Sequence, residues 1–142
     1  MRPIVQVAIV LGFLGLNGCR KAAKTAASAK QAGGAFIQAA AAADPNVVYS
    51  KMTHVRYRGA VSLKRHLALF DLGRQRLGAP KQYSCTNWSI RCGPQATAKL
   101  TYQVTWERGD GTVNMTLIQE ASGWKLLSYY VNSDALVGLN VE

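Results

Sequence analysis

An α+β domain, with N-terminal helices packed on a curved antiparallel sheet of about four strands, is the fold this 142-residue chain predicts. Two observations carry that expectation. Up to Leu77 the large apolar residues recur at helical spacing, and from Tyr83 onward the period changes to two. Helices followed by a run of strands place the helices on one side of the sheet rather than between its strands. The length suits one domain, since domains typically take roughly 100–200 residues.

The first helix is expected in the alanine-rich stretch 20–43, because alanine is the best helix former. It should be regular from about Ser28, with Gly33-Gly34 interrupting it. Residues 19–34 therefore read as a tether and the start of a helix, and 35–142 as the folded domain. Asp44-Pro45 ends the helix, because a residue before proline is pushed out of the α region. Pro45 then suits the first turn of a short helix through Val47, Val48 and Tyr49. Lys51 to Ala60 reads as irregular. Ser62 is placed to cap a helix from Leu63 to about Leu77, with Leu63, Leu67, Phe70 and Leu77 as its buried stripe and Leu69 and Leu72 beside it. Gly78 and Pro80 terminate it.

Four strands follow. Tyr83 to Arg91 is the first. Thr97 to Glu107 alternates, with Ala98, Leu100, Tyr102, Val104 and Trp106 inward. Asp110-Gly111 is a hairpin signal, and Val113, Met115 and Leu117 supply the inner face of the returning strand. Ser122-Gly123 makes the next turn, and Trp124 to Val131 is the fourth strand, with Trp124, Leu126 and Tyr130 on one side. Residues after Asn132 read as a fraying tail.

Ahead of the domain, Arg2 precedes an apolar run from Ile4 to Leu16 that closes on small residues. A positive start, a short apolar centre and a small-residue exit are the parts of a secretory signal peptide. The run is shorter than the roughly 20 apolar residues a membrane span needs. Leu16-Asn17-Gly18-Cys19 resembles a bacterial lipobox, although Asn17 is a less usual second residue. That resemblance implies removal of residues 1–18, lipidation of Cys19, and a lipid-anchored, periplasm-facing place in a bacterial cell envelope; the alternatives are a plain signal peptide and an uncleaved signal anchor that carries a cysteine. Arg20, where an aspartate would favour inner-membrane retention, points to the outer membrane over the inner.

The closing strand, Gly123-Trp124-Lys125-Leu126-Leu127-Ser128-Tyr129, together with the second helix ending in Leu77-Gly78 and the strand Leu100 to Trp106, resembles small bacterial lipoproteins with a cystatin-like or nuclear-transport-factor-2-like domain. The resemblance spans about Phe36 to Asn132 and contains no catalytic motif. It implies a sheet wrapped around the helices, in which larger members hold a ligand.

The formal net charge is +10, and between Lys51 and Arg91 nine basic residues face one acid, Asp71. Lys64, Arg65, Arg74 and Arg76 form a candidate basic patch; its alternatives are attraction to an anionic lipid surface and a solvated face that keeps the domain soluble. The aromatic–basic interleaving of a nucleic-acid module is missing, which disfavours nucleic acid as a partner. Cys85 and Cys92 are an even pair in an oxidising compartment, which argues for a disulfide. Bridging them requires the chain to reverse or bulge between them; free thiols and intermolecular pairing stay open. Tyr102, Trp106, Trp124 and Tyr130 are either sheet core or the lining of a small pocket. His54 and His66, the only histidines, lack a companion nucleophile motif and read as surface or partly buried helix residues. No catalytic residue, metal site or cofactor is assigned. The expectation is a non-enzymatic envelope module that contacts another protein or stabilises an assembly, the alternative being a small-molecule or lipid-binding module using the cone between helices and sheet.

Overall fold

The computed structural model describes residues 23–137; Cys19, the expected signal segment and the last five residues lie outside that range. Helix α1 covers residues 23–42 and is followed by α2 (Pro45–Val47), a π-helical turn (Val48–Met52), α3 (Val55–Ala60) and α4 (Leu63–Leu77). Strands β1 (Pro80–Arg91), β2 (Thr97–Trp106), β3 (Gly109–Glu120) and β4 (Gly123–Ser133) then form one antiparallel sheet in the order β1-β2-β3-β4. A 3₁₀ turn, Asp134–Leu136, closes the described chain. The α+β class and the helices-first order are as expected.

Gly33-Gly34 does not interrupt α1. A Cβ on Gly33 would sit 2.5 Å from Tyr102 Oη and 2.9 Å from Leu100 Cδ1, and one on Gly34 would sit 3.0 Å from Tyr83 Cε2. The glycines let the helix lie close on the sheet, and Tyr102 Oη donates to Lys30 O at 2.5 Å across that contact. Ala26 and Ala29 are buried on the same side, so the domain begins well before residue 35.

The helical half departs from expectation in two further places. Residues Val55–Ala60 are helical rather than irregular, because His54 acts as N-cap: its Nδ1 accepts from Arg56 N at 3.1 Å. Histidine is outside the usual capping set of Ser, Thr, Asp and Asn, which hides this start in the sequence. On α4 the expected cap is present, Ser62 Oγ accepting from Arg65 N at 3.2 Å. The buried stripe, however, is His66, Phe70 and Leu77; Leu63 and Leu69 are exposed, and Leu67 and Leu72 are half-buried. α4 is rotated to bring His66 inward.

In the sheet, β2 alternates as expected and all five of its inward residues are buried. The hairpin turn is Glu107-Arg108, not Asp110-Gly111, since Trp106 already pairs with Gly109. Glu107 N donates to Ala79 O and Arg108 N to Leu77 O, so the turn is fastened to the end of α4. Gly111 lies inside β3, where a Cβ would overlap Asn132 O and the Ser133 side chain. Ala121-Ser122 make the next turn, and Gly123 takes a φ of 125° that favours glycine.

β4 carries a bulge: Leu117 pairs with Leu126 but Thr116 with Ser128, leaving Leu127 extra. One extra residue sends every later side chain to the opposite face. Tyr129 and Val131 therefore pack on the core, and Tyr130, expected beside Leu126, is 70% exposed on the outer face. The segment after Asn132 is not a fraying tail. Ser133 is buried, its Oγ donates to Asp110 O at 2.7 Å, and Ala135 and Leu136 pack on the core.

Candidate functional site

A buried apolar cluster lies between helices and sheet. Phe36 and Ile37 from α1, Phe70 from α4, and Leu100, Tyr102, Val104, Met115, Leu117 and Leu126 from the strands form one buried cluster. Phe36 meets Tyr129 with ring centroids 5.0 Å apart and Phe70 at 6.4 Å. Of the four aromatics considered as pocket lining, Tyr102 and Trp106 are core residues. Trp124 is half-buried and donates from Nε1 to Ser28 Oγ at 3.0 Å. Tyr130 stands on the other side of the sheet, so the four do not enclose a common space.

His66 sits in this core fully buried. Nε2 lies 3.0 Å from Pro45 O and Nδ1 2.8 Å from Tyr57 Oη. A carbonyl only accepts, so Nε2 carries the proton and Nδ1 accepts from the tyrosine hydroxyl. Burial pushes the His66 pKa below its ordinary value, opposed by the Pro45 carbonyl, and pushes Tyr57 up to about 12, with nearby Tyr49 adding to the rise. Neutral His66 thus joins α2, α3 and α4 through two satisfied bonds. His54 is similarly committed, with Nδ1 at the α3 cap and Nε2 3.4 Å from Glu120 Oε1. Among the described residues no three His, Cys, Asp or Glu side chains stand together as metal ligands would.

The candidate basic patch divides. Lys64, Arg65 and Arg76 are exposed, but Arg74 is not a free surface cation. Its Nε donates to Ala40 O at 2.9 Å and its Nη2 to Ala43 O, satisfying carbonyls that the end of α1 leaves without partners. Its charge also suits the negative end of the helix dipole.

Cys85 and Cys92 are both free. Cys85 is within β1, one residue before a bulge at Thr86, and Cys92 follows the strand's last residue. The bulge bends the strand without reversing it. An extended chain rises about 3.3 Å per residue, which keeps the two thiols far outside bridging range. The structure holds no disulfide between them.

The surface feature that sequence reading missed is on the outer face of the sheet. A groove of about 400 Å³ is lined there by Ser89, Lys99, Thr101, Asn114, Ser128 and Tyr130, among others. Thr101 Oγ1 donates to Asn114 Oδ1 at 2.8 Å across its floor. The outward positions of β2 were legible from alternation, but the bulge that delivers Tyr130 to this face was not. No known protein-family model and no curated protein sequence matches the chain.

Proposed function

We propose that the protein is a lipid-anchored, non-enzymatic module of the bacterial envelope that docks another envelope protein through the outer face of its sheet. The observation that carries this reading is the exposed Tyr130 ring in a groove opposite the helices. An aromatic ring with a polar tip is the kind of residue that anchors protein interfaces, giving large contact area and one hydrogen bond. Lipidation of Cys19 supports placement on a membrane, outer rather than inner by the identity of Arg20. The absence of catalysis is supported by the two histidines, whose ring nitrogens are engaged in structural contacts. The ring contacts of Phe36 with Phe70 and Tyr129 in the buried cluster weigh against a ligand held in the cone between helices and sheet.

The test replaces Tyr130 with a photo-crosslinking amino acid in the intact chain in cells, beside a control at exposed Asp71 on α4. A discrete protein adduct from position 130 and none from position 71 is expected. No protein adduct at 130, or identical adducts from both positions, would refute the outer-face reading.

A further inference from the structure

Cations occur throughout the domain, but among the described residues the acids are unevenly placed. At one end lie the start of α1, the segment between β1 and β2, and the turn between β3 and β4. Trp124 bonds Ser28 there, and Gln119 N donates to Ala96 O, which ties these three segments into one surface. Lys24, one helical turn ahead of Ser28, is exposed, as are Arg91 at the end of β1 and Lys99 near the start of β2. Lys125, at the start of β4, donates from Nζ to the backbone carbonyl of Lys51, which brings a second, exposed lysine residue beside it. The one acid here is Glu120, and it faces His54. The other acids among the described residues lie away from this end. Asp44 follows α1, Glu107 is in the β2–β3 turn, Asp110 pairs with Thr105, Asp134 follows β4, and Asp71 is one turn before Arg74.

This basic end is also the end from which the chain leaves toward Cys19. Three residues lie between Cys19 and residue 23, and the four Cα–Cα steps reach about 14 Å when fully extended. We infer that this end, with Lys24, Lys51, Arg91, Lys99 and Lys125, is a docking surface for the anionic phospholipid headgroups of the membrane that holds the anchor. The inference rests on the lipid-anchor reading of the proposed function. Short tether and charge complementarity act together: the tether holds the cations within a distance comparable to the Debye length, roughly 8–10 Å, over which exposed charges attract a surface. Docked in this way, the domain stands with its sheet steep to the bilayer and the outer-face groove open to the side.

The experiment uses the full chain purified from membranes, with Cys85→Ser so that Cys92, exposed at this end, takes a spin label. A second preparation carries the label at Asp134→Cys, at the far end, with Cys92→Ser. Each is attached to vesicles of phosphatidylcholine, with or without about 30% phosphatidylglycerol, and collision with a water-soluble nickel chelate is measured. In anionic vesicles the Cys92 label should lose at least about threefold in collision rate relative to neutral vesicles, and regain it at about 0.5 M salt, where the Debye length shrinks. The label at 134 should not change. The triple charge reversal Lys24→Glu, Arg91→Glu, Lys99→Glu should abolish the difference. Equal collision rates at Cys92 in the two vesicle types overturn the inference, whatever the mutants do. The mass of the Cys19 peptide separately decides the anchor. An unmodified Cys19 with attachment to anionic vesicles only would refute the anchor and uphold the surface; attachment to neither would overturn both.

Discussion

Alanine should act in opposite directions at two helical glycines, and the structure sets the size of each effect. Gly73, in α4, has nothing within 4 Å of an added Cβ. Replacing it with alanine removes the glycine penalty in a helix and should stabilise the domain by about 0.5–1 kcal/mol. Gly33 has the same intrinsic preference, but its new methyl would meet Tyr102 Oη at 2.5 Å and Leu100 Cδ1 at 2.9 Å. Either α1 lifts from the sheet or Tyr102 leaves its rotamer and its bond to Lys30 O. Overpacking of this kind costs about 1–3 kcal/mol, and a lost hydrogen bond about another 1. Set against a helix gain of about 1 kcal/mol, Gly33→Ala should destabilise by about 1–3 kcal/mol. Urea unfolding followed by tryptophan fluorescence measures both variants in one assay. Removing the hydroxyl in Gly33→Ala/Tyr102→Phe should recover part of the loss, because the nearest clash is with that oxygen. If Gly33→Ala raises stability as Gly73→Ala does, the close seating of α1 on the sheet is wrong.

Three further outcomes follow from the same contacts. Arg74→Met, which keeps most of the side-chain stem but removes the donors to Ala40 and Ala43, should cost about 2–3 kcal/mol in the same unfolding assay, whereas Arg76→Met should stay within about 0.5. Because His66 has a folded pKa below its unfolded value, the unfolded state takes up the proton first. Stability should hold above about pH 6.5 and fall below it by up to about 1.4 kcal/mol per pH unit, until the folded pKa is passed; His66→Gln should flatten that slope. With both thiols free, adding a reductant should leave the melting temperature of the purified chain unchanged, and a drop of several degrees would contradict the extended course of β1.

The strand half of the fold was far more legible than the helical half. Alternation on β2 reports burial directly, because side chains of a half-buried strand have only two directions, and Ala98 to Trp106 followed it throughout. On α4 the leucines misled, since the stripe is decided by a polar residue. His66 is buried because Tyr57 and Pro45 meet both its nitrogens, and those partners come from elements 9 and 21 residues away. Arg74 read as a surface cation for the same reason: the carbonyls that hold it are 31 and 34 residues back in the chain. Asp110-Gly111 was a sound turn signal locally. The glycine is needed there for room against Asn132, and the turn three residues earlier is held by Ala79 and Leu77. The candidate site depended on the displaced parity of Tyr130, which no periodicity in β4 reveals.

That parity has a consequence for how the chain finds its final pairing. β4 contains two doublets, Leu126-Leu127 and Tyr129-Tyr130, so an unbulged register would still offer the core a leucine and a tyrosine. Local hydrophobicity barely separates the two alignments. What separates them is at the far end of the strand, where Ser133 must reach Asp110 and the backbone of Asn132 must pass Gly111. Substituting Gly111 with a larger residue should therefore trade one ordered state for another, with Tyr129 and Tyr130 exchanging inside for outside, rather than melt the sheet. The register of the edge strand thus leans on one glycine and one serine, not on the leucines and tyrosines that fill its core face.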